Sequence, residues 1–256
     1  MNLSVVIITK NEEVNIGRCL EAVKWADEIV VVDSQSTDRT LEIAGAFGAR
    51  TFASPWKGYG QAKREGVNLA RGRWILSVDA DEVVSAELSE QIRRVVNEPS
   101  RFTGYHICRK TNFLGRWILH GGWYPDRVLR LFVKANGNFT EAAVHEQVVL
   151  NGEAGHLGGE LLHYSYPSLE KYLQKSNRYT TLGAQEAWRS GKRSHWWDMV
   201  VRPPVAFVKH YISRQGFRDG WEGLIIAVMS ATAVFIKYAK LRQLQRRAVH
   251  PESETA

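Results

Sequence analysis

The sequence predicts an α/β protein with a mainly parallel central sheet flanked by helices. The first hundred residues give two reasons for this class. Continuous apolar runs such as LSVVIIT and EIVVVD alternate with segments whose apolar residues repeat every three or four positions. The runs contain few polar residues, as is typical of parallel strands that helices cover on both faces.

Four strand–helix repeats account for the chain up to residue 97. Asn11 is expected to cap the first helix, because asparagine is a favoured N-cap residue and two glutamates follow it. Gly48 and Gly72 are expected to end the second and third helices. The predicted strands are LSVVIIT, DEIVVVD, ARTFAS and RWILSVD, and the predicted helices are NEEVNIGRCLEAV, STDRTLEIAGAFG, GQAKREGVNLARG and SAELSEQIRRVVN.

Polar side chains follow three of these strands. Thr9, Asp33 and the pair Asp79 and Asp81 all lie where a strand is expected to end. In open parallel sheets, ligands bind beyond the carboxyl ends of the strands. The sequence therefore predicts a ligand site at this edge of the sheet.

The stretch VDADE places Asp79 and Asp81 two residues apart. Side chains at i and i+2 of a strand point to the same face, so the two carboxylates would repel each other if the strand continued. A divalent cation could offset that repulsion and bridge a diphosphate. Alternatively, the strand has already ended, and the acids favour the start of the following helix.

The remaining chain is expected to form a smaller antiparallel part of the sheet and then helices. Shorter strands separated by glycine-rich loops occupy residues 100–165, and SLEKYLQKSNRYTTLGAQEAW reads as a helix. The predicted parts are a nucleotide-binding domain (1–165), a packing helix (166–194), a basic aromatic helical segment (195–247) and a disordered tail (248–256).

Composition limits the cellular setting. The first strand lacks the basic segment and cleavage site of a signal peptide, and Cys19 and Cys108 have no metal-binding or disulfide spacing. We therefore expect a protein of the reducing cytoplasm.

The net charge of +7 arises in one segment. Residues 189–247 hold 12 basic and 3 acidic residues, whereas residues 1–188 hold 22 of each. Tryptophans and a 13-residue uncharged run (224–236) accompany these cations, which favours peripheral binding to an anionic membrane, since a spanning helix needs about 20 apolar residues. Helices that cover a core or form a dimer are the alternative. The high apolar content argues against nucleic acid as a partner.

The ordered blocks VVIITKNEE, IVVVDSQSTDRT and ILSVDADE resemble the family 2 inverting glycosyltransferases, whose fold is named GT-A. The resemblance covers about the first 165 residues. It implies a UDP-sugar donor, Mn²⁺ or Mg²⁺ as cofactor, and Asp81 as the metal ligand. The implied donor-nucleotide residues are Thr9, Asn11, Glu12, Asp33 and Asp79, with Lys63 as a further candidate.

Three further motifs supply candidate residues. In AAVHEQV, Glu146 is the expected general base, and His145 either orients it or serves as the base itself. Arg127 and Arg130 could hold a phosphate or an anionic acceptor, or could lie on the solvent face of an edge strand. His163 is a candidate second metal ligand, although a strand histidine is more often a core residue.

Together with the tail GFRDGWEGLIIAVMSA, these blocks look like the branch of family 2 that adds β-1,4-linked glucose to a heptose of the lipopolysaccharide inner core. We therefore expect a lipid-linked glycan acceptor at the inner face of the cytoplasmic membrane. The alternatives are a transferase for another surface polysaccharide or glycolipid, a metal-dependent nucleotidyltransferase, and a non-catalytic membrane scaffold. The sequence TKNEE after the first strand lacks the glycine-rich basic loop of a nucleotidyltransferase.

Overall fold

The structure is a computed structural model that describes residues 1–140 and 146–249. The chain forms two compact units. The first comprises Met1–Lys110 and Pro125–Tyr164, and the second comprises Thr111–Tyr124 and the residues from Ser165 onward. Residues 111–124, which the sequence analysis assigned to the nucleotide-binding domain, thus group with the C-terminal helices.

Four parallel strands begin the first unit, and helices alternate with them. All residues of the first two strands are buried, as their uninterrupted apolar sequences predict. The α/β class predicted from the sequence is confirmed. The strands are β1 (Leu3–Thr9), β2 (Glu28–Asp33), β3 (Arg50–Ala53) and β4 (Trp74–Asp79), and the helices are α1 (Ile16–Val23), α2 (Thr40–Ala46) and α3 (Tyr59–Leu69).

The later strands extend this sheet with antiparallel pairing. Its order is β3-β2-β1-β4-β8-β6-β11-β5, and β7 pairs with β6. The new elements are β5 (Glu82–Val84), α4 (Ala86–Asn97), β6 (Gly104–Phe113), β7 (Arg116–Trp117), β8 (Asp126–Val133) and β11 (Ala154–Tyr166). A separate hairpin is formed by β9 (Gly137–Phe139) and β10 (Val148–Leu150).

The pairing of β6 with β8 contains a bulge. Tyr105 is opposite Leu131, but the next residue, His106, is opposite Leu129. Arg130 is therefore the extra residue of β8. A bulge interrupts the ladder and redirects a side chain, and here that side chain is an arginine next to β4.

The core lies on both faces of the sheet. One cluster packs α1 and α4 against side chains such as Val5, Ile7 and Leu76. The other packs α3 and the β9–β10 hairpin against Val6 and Ile75. Alternate residues of β1 and β4 belong to different apolar clusters, so both faces of these strands are buried in the core. The polar groups therefore concentrate where the strands end.

The prediction that Asn11 caps the first helix is wrong. α1 begins at Ile16, and Asn15 takes the N-cap position without a side-chain cap bond. Asn11 instead has a left-handed backbone with φ of 54°, a conformation that asparagine adopts more readily than most residues.

Three helices dominate the second unit: α5 (Leu169–Arg189), α6 (Trp196–Val208) and α7 (Gly220–Val249). A π-helical turn (Lys209–Ser213) and a 3₁₀ turn (Gly216–Asp219) connect α6 to α7. The helical stretch Gly216–Ala248 has 33 residues and, by length and composition, could cross a membrane. It extends well beyond the uncharged run 224–236 because lysines and arginines continue the same helix.

Candidate active site

Hydrogen bonds connect the loop that follows β1 with the loop that follows β2. The Asn11 N–H donates to Ser36 Oγ at 2.8 Å, and the Asn11 side-chain oxygen accepts from the Thr37 N–H at 2.8 Å. The Glu12 N–H donates to Thr40 Oγ1, also at 2.8 Å. Asn11 and Glu12 therefore hold the shape of this edge of the sheet.

Thr9 and Asp33 are neighbours at the ends of β1 and β2, and both are buried. Asp33 Oδ2 accepts a hydrogen bond from the Ser36 N–H at 2.8 Å. Thr9 Oγ1 is buried and has no hydrogen-bond partner among the described residues. Since an unsatisfied buried hydroxyl costs free energy, this atom is suited to contact a ligand.

Asp79, the last residue of β4, is held by two cations. Lys63 Nζ lies 2.9 Å from Asp79 Oδ1, and Arg130 Nη2 lies 2.7 Å from Asp79 Oδ2. Burial alone would raise the pKa of Asp79, but the charges of Arg130 and Lys63 hold that pKa well below its usual range. The carboxylate is therefore ionised at neutral pH, and both cations are themselves buried.

Glu82 is the most buried acid of the VDADE stretch, with no exposed surface. Its Oε1 lies 3.1 Å from Arg130 Nη2, and its Oε2 accepts from the Asp79 N–H at 2.9 Å. Arg109 lies 3.5 Å from Glu82 and 2.6 Å from Asp126. Burial would lower the pKa of Arg130, but Asp79 and Glu82 raise it above its ordinary value.

Asp81 lies in the turn between β4 and β5 and pairs with a histidine. His163 Nε2 is 3.2 Å from Asp81 Oδ2. The Tyr164 N–H donates to the Asp81 carbonyl oxygen at 2.9 Å, which anchors the turn on β11. Asp79 pairs with Lys63 and Arg130, whereas Asp81 lies beyond the end of the strand and pairs with His163.

Asp81 and His163 fit a divalent ion as partial ligands. A carboxylate oxygen and an imidazole nitrogen at this separation could both face one metal ion. Within residues 1–140 and 146–249, no group of three or more histidine, cysteine, aspartate or glutamate side chains is placed to hold a metal.

Glu146 is connected to Asp79 through Lys63. Lys63 Nζ lies 2.9 Å from Glu146 Oε1, the same distance as from Asp79. Lys63 thus joins the end of β4 to the segment that precedes β10. His145, the other candidate base, lies outside the described residues.

Arg127 and Arg130 have separate environments. Arg130 is buried among acids, as described above, whereas Arg127 is exposed and lies opposite Cys108 on β6. Their strand, β8, is not an edge strand, because it pairs with β4 on one side and β6 on the other.

Sequence reasoning did not identify Arg109 and Asp126 as part of this charged network, nor Glu82 as its buried centre. A signal was available, since β6 and β8 each carry charged residues between apolar ones in predicted strands. Such residues in an internal strand need partners.

The chain is similar to known proteins in sequence, and it aligns with a solved structure. The family model for glycosyl transferase family 2 matches residues 4–149. The chain is 30% identical to the lipopolysaccharide core biosynthesis glycosyltransferase LpsC of Rhizobium meliloti, over 99% of this chain and 97% of LpsC. It is 31% identical to an uncharacterized glycosyltransferase of Rickettsia typhi, over 96% of this chain and 88% of the relative. Residues 1–349 of TarS from S. aureus, in complex with UDP-GlcNAc, align at 17% identity with a TM-score of 0.45, covering 97% of this chain and 92% of that one.

The fold is of the α/β class, with polar groups gathered at the strand ends. The chain belongs to glycosyl transferase family 2, as predicted from its ordered motifs.

Proposed function

We propose that this protein transfers a sugar from a UDP-sugar to a lipid-linked glycan with inversion of configuration. The observation that carries the proposal is the arrangement around Lys63, which contacts Asp79 and Glu146 at 2.9 Å each. It places a candidate donor-binding carboxylate and a candidate general base within reach of one buried cation. One compact site could then hold a donor and activate an acceptor.

The donor nucleotide would bind at the ends of β1, β2 and β4. Thr9 offers a buried hydroxyl, and Asp33 is held in a fixed orientation by Ser36. Asn11 and Glu12 shape the loops around this position through their bonds to the next loop. Asp79, fixed by Arg130 and Lys63, would lie near the ribose. Each of these roles is a prediction.

Mn²⁺ or Mg²⁺ would be held by Asp81 and His163. When bound, such an ion neutralises the charge that develops on a departing nucleoside diphosphate. The chain's own contribution is to fix Asp81 through the Tyr164 N–H and to place His163 beside it.

Glu146 would take the proton from the acceptor hydroxyl as that oxygen attacks the anomeric carbon. An inverting transfer needs one such base on the acceptor side. Lys63 orients the Glu146 carboxylate through the ion pair described above. His145 is the alternative base, and it adjoins Glu146 in the chain.

The C-terminal segment and the LpsC relative support the proposed acceptor class. Residues 189–247 combine 12 basic with 3 acidic residues, and α6 exposes apolar side chains. We infer a phosphorylated, lipid-linked acceptor at the inner face of the cytoplasmic membrane, with a heptose of the lipopolysaccharide inner core as the expected sugar and glucose as the expected donor sugar. Another surface polysaccharide or glycolipid is the alternative acceptor.

A non-catalytic scaffold is the second candidate function. The exposed apolar surface of α6 would serve it equally well. Against it, Asp79 and Glu146 share the buried cation Lys63, and a scaffold does not require such an arrangement of largely buried charges.

Calorimetric titration with UDP tests the proposal on the intact protein. Binding should require Mn²⁺ and should disappear in Asp81→Ala, whereas Glu90→Ala, which removes an exposed acid from α4, should bind as the unaltered protein does. Binding that ignores both metal and Asp81 would indicate a metal-independent transferase. No binding in any sample would favour the scaffold.

A further inference from the structure

A cavity of about 340 Å³ lies within the second unit, where the end of α5, the start of α6 and the middle of α7 meet. Four cationic side chains line it: Lys192, Arg193, Arg202 and Lys237. All of its lining residues belong to the second unit, so the cavity is separate from the charged site of the first unit.

The positive charge of this cavity is largely uncompensated. Asp198 is the carboxylate in its lining, and it is already engaged: its Oδ1 accepts from Arg202 Nε at 2.5 Å, and its Oδ2 accepts from the His195 N–H at 2.8 Å. In the parts of the chain that the structure describes, Lys192 and Lys237 have no carboxylate within ion-pair distance. Four cations and one paired acid leave an excess that an anion would neutralise.

Aromatic rings hold two of these cations in place. The Arg202 guanidinium carbon lies 4.9 Å from the centre of the Tyr238 ring, and that of Arg193 lies 4.3 Å from the centre of the Trp188 ring. Such contacts restrict the guanidinium groups before a ligand arrives. Less conformational freedom then has to be lost on binding.

The chemistry favours a phosphate group as the ligand. Several lysines and arginines around one cavity match a multiply charged anion with several acceptor oxygens. The volume exceeds that of a bare phosphate and leaves room for the glycerol or sugar attached to it. Trp197 and Tyr238 supply apolar surface for that part.

The surroundings of the cavity point to a lipid as the source of the phosphate. Trp197, which lines it, is 47% exposed, and the adjoining Trp196 is 61% exposed. Along α6, Val200 and Val205 are each 59% exposed. Exposed tryptophans and aliphatic residues beside a basic site are typical of surfaces that lie in the membrane interface.

We propose that this cavity binds the phosphorylated headgroup of an anionic lipid. The proposal does not depend on the reaction at the first unit. Basic pockets between helices at a membrane surface are a known means of recognising lipid phosphates.

Binding measurements on the full chain test this. The probes are inorganic phosphate, a short-chain soluble phosphatidic acid, and phosphatidylcholine vesicles with and without phosphatidic acid. The variant K192Q/K237Q removes two cavity cations. The control K209Q/R246Q removes the same charge from exposed positions of the same segment outside the cavity lining.

We expect K192Q/K237Q to bind short-chain phosphatidic acid at least about tenfold more weakly, since a charged hydrogen bond contributes on the order of a tenfold change in affinity. Its binding to phosphatidic acid vesicles should fall in parallel, and the control should keep both. Thermal unfolding of both variants checks that they fold.

Three results would overturn the proposal. Equal losses in both double variants would show a general attraction of the basic segment to anions. Tight binding of inorganic phosphate, with unaltered vesicle binding in K192Q/K237Q, would assign the cavity to a soluble phosphate compound. No phosphate or phosphatidic acid binding to the unaltered protein would exclude an anion site.

Discussion

Buried Arg130 and partly buried Asp79 form an ion pair in which Nη2 lies 2.7 Å from Oδ2. The same guanidinium nitrogen lies 3.1 Å from Glu82, so one arginine pairs with two acids. Removing Arg130 would leave Asp79 with Lys63 and Glu82 with the more distant Arg109, so each acid would lose one of its two cations.

Replacing Arg130 should therefore destabilise the protein strongly. We expect Arg130→Met to lower the free energy of unfolding in urea by about 3–5 kcal/mol. Arg127→Met, on the same strand but exposed, should change it by less than about 0.5 kcal/mol. If Arg130→Met changed the free energy of unfolding as little as Arg127→Met is expected to, the ion pairs of Arg130 would contribute little to stability.

The pKa of Asp79 makes stability depend on pH. This pKa is lower in the folded protein than in the unfolded chain, so the ionised carboxylate stabilises the fold at neutral pH. The stabilisation should be complete above about pH 4, the range of an unfolded aspartate, and should be lost as the pH falls through the folded pKa. The free energy of unfolding should be measured from about pH 5 to about pH 2, where the Asp79 contribution is lost. It should change less with pH in Asp79→Asn than in the unaltered protein. Glu90→Gln, at an exposed acid, should behave like the unaltered protein, and an unchanged slope in Asp79→Asn would contradict the assignment.

Gly66 sets the close approach of α3 to the sheet. A Cβ atom there would lie 2.3 Å from Val6 Cγ1, so Gly66→Ala should push α3 away and reduce stability by about 1–3 kcal/mol. Because α3 also carries Lys63, metal-dependent UDP binding should weaken in this variant.

Gly45→Ala on α2 serves as the control. No atom lies within 4 Å of the added methyl group, so this substitution should raise stability by about 0.5–1 kcal/mol. Thermal unfolding of the two alanine variants measures both effects, and a neutral Gly66→Ala would mean that α3 has room to shift.

Glu146→Gln tests the proposed base. The substitution keeps the size of the side chain but removes its ability to accept a proton, so the transfer rate should fall about 10²- to 10⁴-fold while UDP binding persists. Glu153→Gln alters an exposed acid just beyond β10 and should leave the rate unchanged. A UDP-sugar transfer assay with the lipid-linked acceptor makes the comparison, and full activity of Glu146→Gln would leave His145 as the candidate.

The exposed apolar face of α6 should matter for membrane binding. We expect Val200→Asp combined with Val205→Asp to reduce co-sedimentation with anionic vesicles severalfold, because two charges replace apolar side chains that are each 59% exposed. Val149→Asp places a charge at an exposed valine of the first unit and should have no such effect. Retention of full vesicle binding in the double variant would remove α6 from the membrane-facing surface.

The amino-acid sequence was sufficient to locate the ends of the central strands. β1, β2 and β4 are continuous apolar runs, so their ends, and with them Thr9, Asp33 and Asp79, could be located from hydrophobicity alone. The family followed from the order of three motifs, and the family match confirms it.

The sequence could not show how the acids are paired. Asp79 and Arg130 are 51 residues apart, and their contact depends on β8 entering the sheet beside β4 with a bulge. Periodicity reports which face a residue occupies but not which distant strand lies next to it. The prediction that Asn11 caps the first helix was also wrong. Asparagine is favoured both at a helix start and in a left-handed turn, and the sequence does not distinguish the two.

The extra residue in β8 is not needed for the strand to pair with β6, but it supplies the arginine that pairs with the acids at the end of β4. If position 130 were deleted, Leu131 and Leu129 would become consecutive, and β8 could pair with β6 without interruption. The apolar core would keep its contacts, but Asp79 and Glu82 would lose their shared guanidinium group. A chain without this residue would lose both the shared guanidinium group and the stability expected from Arg130, so one extra residue links the stability of the sheet to the charges at its strand end.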